Sequence, residues 1–194
     1  MTERSIVLLR HAKAERTTGT PDADRPLTAR GHADAAAAGA WLAHSGFLPE
    51  TVICSPAKRT RQTWHDVALG MAEPLRRLTA AAPGGKIPPT DPTEPPGGPR
   101  PARSGPTVRY ERPVYAGTAE TLLDLLRAVQ PTAATVLLIG HNPILSELSV
   151  LLDPVHADPD GLRTCGIAVH GITGEWTALA PGRAPLTKWH TARG

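Results

Sequence analysis

The sequence predicts an α/β fold: a three-layer α/β/α sandwich with a mostly parallel central sheet and an antiparallel hairpin at one edge. Three observations predict it. Short unbroken apolar runs, rich in β-branched residues, occur at residues 5–9, 51–54 and 135–139; such runs suit strands covered by helices on both faces. Segments of helical length and pattern lie between them. Each run also ends in polar chemistry, at Arg10-His11, Ser55 and Gly140-His141. In open α/β sheets ligands sit outside the carboxyl ends of the strands, so these three ends mark a candidate site.

The elements follow in order. After the first strand, residues 12–27 read as a loop punctuated by Gly19, Pro21 and Pro26. Thr28 is a good N-cap for an alanine-rich helix over residues 29–44, with Gly46 as its stop. Trp41 and Leu42 are placed on its core side. The second strand, 51–54, leads into a helix with Ser55 as N-cap and Pro56 at its first position, ending at Gly70. Residues 79–106 hold nine prolines and five glycines, with little apolar content beyond alanine. That composition predicts a flexible insertion within one domain spanning residues 1–194. A short strand is predicted at 107–110. Thr118 caps an amphipathic helix to about residue 130, with Leu122, Leu123, Leu125, Leu126 and Val129 as its apolar set. The strand 135–139 precedes a helix to about residue 152, with Asn142 as N-cap and Pro143 at its first position. Residues 166–172 and 176–179, flanking Thr173-Gly174, read as the edge hairpin.

Composition narrows the function. No apolar run approaches the ~20 residues needed to cross a bilayer, and no signal peptide is evident, so the expectation is a cytoplasmic protein without a membrane partner. Net charge is +3, with basic residues scattered rather than striped, which argues against nucleic-acid binding. A modest positive balance suits a phosphorylated substrate. Cys54 and Cys165 lack metal-like spacing and read as buried small hydrophobes.

Arg10, His11, Arg59 and His141 are the candidate catalytic residues, with Arg10, Arg59 and His141 as the phosphate-binding set. Guanidinium forks bind phosphoryl oxygens bidentately. A neutral imidazole can attack phosphorus and become covalently phosphorylated, and a second can stabilise charge on the oxygens. This inventory calls for no metal and no cofactor, and the chain lacks the glycine-rich lysine loop of nucleotide-binding enzymes.

The pattern Leu8-Leu9-Arg10-His11-Ala12 resembles the Arg-His-Gly signature of the histidine phosphatase superfamily. Residues 55–63 (Ser-Pro-Ala-Lys-Arg-Thr-Arg-Gln-Thr) resemble its second motif, and Gly140-His141-Asn142-Pro143 its third. Residues 24–31 (Asp-Arg-Pro-Leu-Thr-Ala-Arg-Gly) are similar to the helix start of the short, SixA-like phosphohistidine phosphatase branch. The resemblance implies that His11 is the nucleophile, that Arg10 and Arg59 bind the phosphoryl oxygens, and that His141 completes the pocket. It also implies a phosphohistidine protein as substrate. Ala12 departs from the usual glycine.

A second departure bears on the substrate. Many members of the superfamily use an acidic residue to protonate the leaving group, and none is evident here. Glu120 falls in the first turn of a helix, where the dipole favours its charged form; Glu111 and Glu73 fit no better. A phosphoramidate needs such an acid less than an alkyl phosphate does, which favours phosphohistidine. The alternatives are a small-molecule phosphomonoesterase of the same superfamily and a non-catalytic phosphoprotein-binding module. Lys13 reads as a solvated loop residue, Ser55 as a cap, and His170 as a surface or edge residue. His32, His44, His65, His156 and His190 receive no role.

Overall fold

The apolar runs form the inner strands of one six-stranded sheet. The structure, a computed structural model, describes residues 3–16, 18–80, 105–158 and 160–194. Strands β1 (Glu3–Arg10), β2 (Thr51–Cys54), β3 (Thr107–Tyr110) and β4 (Thr135–Gly140) run parallel, and β5 (Gly166–Thr173) and β6 (Leu186–Thr191) add an antiparallel edge. The order across the sheet is β3-β2-β4-β1-β5-β6. The strands before and after residues 81–104 are therefore neighbours in one sheet. Most of the predicted insertion lies outside the described residues.

Period-two alternation divides the core into two layers. Ile6, Leu8, Ile53, Val136 and Leu138 point to one face, under α3 (Pro113–Ala116), α4 (Ala119–Arg127) and α5 (Ile144–Leu152). Val7, Leu9, Val52, Cys54, Leu137 and Ile139 point to the other, under α1 (Ala29–His44) and α2 (Lys58–Ala80). Thr28 caps α1 by accepting from the Gly31 amide, and Thr118 caps α4 by accepting from the Thr121 amide. Both cysteines are buried and unbonded to each other. No helix among the described residues is long and apolar enough to cross a membrane.

Four expectations need correction. Helix α2 runs through Gly70 to Ala80. A β-carbon at Gly70 would lie 2.0 Å from the Ala36 carbonyl oxygen, so this glycine permits close approach of α1 to α2 rather than ending a helix. Helices α2 and α5 begin at Lys58 and Ile144, later than Ser55 and Asn142. The Asn142 side chain instead donates to the Leu162 carbonyl at 2.8 Å. The strand partner of β5 is β6, not residues 176–179. Trp176 starts a 3-10 turn, is buried, and donates its indole N–H to the Ala133 carbonyl at 2.8 Å, so its apolar content fills the core. Because β6 lies beyond β5, β5 is internal and His170 is fully buried. Its Nδ1 donates to the Ala184 carbonyl at 2.8 Å, and its Nε2 accepts from Ser149 Oγ at 3.0 Å.

Candidate active site

Strands β2, β4 and β1 are adjacent and parallel, so their carboxyl ends place Ser55, His141 and His11 side by side. The ladder extends one residue past each of two strands. His11 N donates to the Gly140 carbonyl and Ser55 N to the Ile139 carbonyl, both at 3.0 Å. Helix α2 then brings Arg59, in its first turn, under both imidazoles. Thr63 on α2 accepts from the Ala12 amide at 3.1 Å and donates to the Arg59 carbonyl at 2.7 Å, tying the helix to the turn after His11.

The hydrogen bonds assign both tautomers. A carbonyl only accepts, so the 2.7 Å contact between His11 Nδ1 and the Ala12 carbonyl places the proton on Nδ1. His11 Nε2 carries the lone pair and accepts from Arg59 Nε at 3.3 Å. His141 has the opposite tautomer. Its Nδ1 accepts from Arg59 Nη2 at 3.2 Å, and its Nε2 donates to Ser55 Oγ at 2.8 Å. The two ring centroids are 5.1 Å apart. Arg59 and His141 are almost wholly buried, at 6% and 7% exposure.

Burial first, and nearby positive charge second, hold both rings neutral. Desolvation, opposed by the Ala12 hydrogen bond and aided by Arg59 and Arg10, lowers His11 to about 4. Desolvation, then His11 and Arg59, lowers His141 to about 3. Arg10 donates Nη1 to the Leu162 carbonyl at 2.9 Å, while its buried Nε finds no partner among the described residues. All four residues singled out in the sequence thus converge at one sheet edge.

Two further residues join them. Asp22, in the 3-10 turn Asp22–Asp24, accepts from Arg59 Nη2, from the Tyr115 hydroxyl and from Arg25 Nη1, each at 2.8 Å. The Tyr115 hydrogen bond, and then both arginines, push its carboxyl well below the usual range. The same hydrogen bond raises the Tyr115 phenol. The Tyr115 ring stands edge-on to His141 at 5.2 Å. Asp22 lies two residues before the stretch that resembles the SixA-like helix start, and that proximity was the only sequence signal for it. Tyr115 gave none, since the short helix α3 that carries it has no periodicity to read.

Glu120 and Glu111, two of the carboxylates considered as proton donors, have other surroundings. Glu120 borders a separate depression with Thr118 and Pro143. Glu111 forms an ion pair with Arg109 at 2.8 Å. Among the described residues no group of three or more His, Cys, Asp or Glu side chains could hold a metal ion.

Residues 6–80 match the family model of the histidine phosphatase superfamily, branch 1. An uncharacterized protein of Mycobacterium tuberculosis is 28% identical over 193 residues, which cover 95% of this chain and all of that one. A SixA structure from Nakamurella multipartitia, described as a candidate phosphohistidine phosphatase, is 29% identical with a TM-score of 0.70, covering 98% of this chain and 96% of that chain. A SixA structure of the same description from Agrobacterium tumefaciens is 25% identical with a TM-score of 0.67, covering 96% and 97%.

Proposed function

We propose that the chain, whose residues 6–80 match the histidine phosphatase superfamily model and whose fold follows that of SixA structures, is a phosphohistidine phosphatase working through a covalent intermediate on His11, without a metal. The observation that carries this reading is the His11 tautomer: Nδ1 is locked as a donor, so the Nε2 lone pair faces Arg59 and the pocket. His11 Nε2 attacks phosphorus, and the bond from phosphorus to the substrate imidazole breaks. That imidazole, protonated on its other nitrogen, leaves as a neutral ring. Water then attacks the phosphorus on His11, releasing phosphate and restoring the neutral imidazole. Arg10 and Arg59 hold the phosphoryl oxygens, and the partnerless Arg10 Nε is a buried donor available to an anion. His141 donates to the developing charge from Nδ1 after its proton shifts.

The phosphohistidine preference draws support from Asp22. The carboxylate that joins the cluster is held ionised by three donors, so it is a poor proton source. A neutral imidazole leaving group needs none. The deciding experiment compares turnover of a phosphohistidine protein with a panel of phosphorylated metabolites, with and without EDTA. Fast EDTA-resistant turnover of the phosphoprotein is expected. Preference for a metabolite would establish a phosphomonoesterase, and binding without turnover a phosphoprotein-binding module.

A further inference from the structure

His11 opens onto a groove of about 810 Å³ whose lining, apart from Arg10 and His11, the proposed chemistry does not use. Six cationic side chains line it, against two carboxylates: Arg10, Lys13, Arg16, Arg25, Arg30 and Arg193 against Glu15 and Asp34. The groove therefore concentrates more positive charge than the +3 excess of the whole chain. One of the carboxylates serves the wall itself. Asp34 is buried, accepts from the Gly194 amide at 3.0 Å, and lies 3.8 Å from Arg30 and 3.9 Å from Arg193. Lys13 and Arg16 are exposed and have no side-chain partner among the described residues.

We infer that this groove docks an acidic segment of the protein that carries the phosphohistidine, presenting the phosphoryl group to His11. The inference rests on the phosphohistidine reading above. Two features select an acidic peptide over other anions. The lining holds no aromatic side chain apart from His11 and no aliphatic one larger than alanine. A nucleotide or nucleic acid would find nothing on which to stack its bases, and a small apolar metabolite nothing to desolvate it. The cations also come from separate segments: the end of β1, the turn after it, the loop before α1, the first turn of α1, and Arg193 after β6. Such a spread suits successive carboxylates along a chain. Phosphate binding is already served at the strand ends, so the groove acts on the rest of the substrate. Charge of this kind raises the encounter rate and is screened by salt, with a Debye length of about 8 Å at physiological ionic strength.

The test uses two synthetic peptides of equal length, each with one phosphohistidine, one flanked by glutamates and the other by lysines, beside free phosphohistidine. The wild type is expected to prefer the glutamate peptide about tenfold or more in kcat/KM at low salt, and to lose that preference as salt rises. The double variant Arg16→Glu with Arg30→Gln should abolish the preference while hydrolysing free phosphohistidine at the wild-type rate. Anisotropy of a labelled, unphosphorylated glutamate peptide should report salt-sensitive binding that the variant lacks. Equal rates on both peptides, or a preference that survives in the variant, overturn the inference. If nothing carrying phosphohistidine is hydrolysed, yet the unphosphorylated glutamate peptide binds and the variant loses it, the phosphohistidine reading fails and the acidic-segment groove stands.

Discussion

Asp22 and Arg59 are joined twice: the Asp22 carboxylate accepts from Arg59 Nη2 at 2.8 Å, and its main-chain carbonyl accepts from Nη1. With Nε on His11 and Nη2 also shared with His141, the guanidinium has every nitrogen engaged before substrate arrives. A phosphoryl group bound as proposed must take over some of these bonds, and the Asp22 charge opposes it.

Asp22→Asn should therefore tighten inorganic phosphate as a competitive inhibitor, by about threefold, since half-exposed charge pairs contribute up to about 1 kcal/mol. The carbonyl contact and both histidine contacts to Arg59 survive the change, so its position should hold. Weaker phosphate binding in the variant would mean that the carboxylate mainly orients Arg59.

His11→Ala should reduce turnover by at least about a thousandfold while leaving the melting temperature nearly unchanged. What anchors this turn is backbone: His11 N to the Gly140 carbonyl, and Cys165 N to the His11 carbonyl. Acid-labile phosphate trapped on the wild type and absent from the variant is the matching chemical result. Retained activity would end the covalent mechanism.

The pH dependence follows from the lowered histidines. In the proposed mechanism the attacking ring must be neutral, and His11 stays neutral down to about 4. The acid limb of kcat/KM, which reports the free enzyme, is expected near pH 4 rather than near the ordinary 6.5 of histidine. Stability has its own window. Both folded values lie below the unfolded value, so the unfolded chain binds more protons as pH falls below about 6.5. Stability is thus fully present above that pH and declines toward about 4 and 3. An activity limb at 6.5 would show that the pocket does not depress His11.

Most of the inner architecture was legible in the sequence because β-branched runs and helix caps act locally. Residues 5–9 and 135–139 read as strands whatever surrounds them, and Thr28 and Thr118 cap the helices they precede. Arg10, His11, Arg59 and His141 could be picked out because strand ends and a helix start carry them. What was lost depends on tertiary context. Gly70 looks like a stop until the carbonyl of Ala36 lies against it. His170 looks like an edge residue until the polar sequence of β6 supplies the edge. Asp22 and Tyr115 meet across 93 positions of chain, and neither lies in a segment with a periodicity.

Ser55 is the case where a local role concealed another. Its hydroxyl accepts from His141 Nε2, and it can equally donate to that atom if the imidazole proton moves to Nδ1. In the proposed mechanism it therefore lets His141 accept from Arg59 in the free state and donate to a phosphoryl oxygen when substrate is bound. Ser55→Ala should lower kcat about tenfold or more with little change in KM, and Ser55→Thr should restore much of it. Nitrogen chemical shifts of the His141 ring should show mixed tautomers in the alanine variant. An unchanged kcat would leave Ser55 a purely structural residue.

The expected bond preference is the widest consequence of the proposed mechanism. In the proposed mechanism, nucleophilic attack by His11 and charge stabilisation by two arginines and His141 serve N–P and O–P bonds alike. Only protonation of the leaving group separates them, and general acids contribute typically about 10²–10⁴-fold. In this cluster the candidates for that role are poor. Asp22 is held ionised by Tyr115, Arg59 and Arg25, and Tyr115 is pushed up by the carboxylate it faces. Glu120 borders a different depression. The ratio of kcat/KM for phosphohistidine over a serine or sugar phosphate should accordingly be at least about 10². Glu120→Gln and Glu111→Gln should not move it. Asp22→Asn should leave slow alkyl phosphate hydrolysis no slower, because it removes a repulsive charge and not a proton donor. If that substitution instead abolished a substantial alkyl phosphatase activity, Asp22 would be the acid, and the small-molecule phosphomonoesterase would replace the phosphohistidine reading.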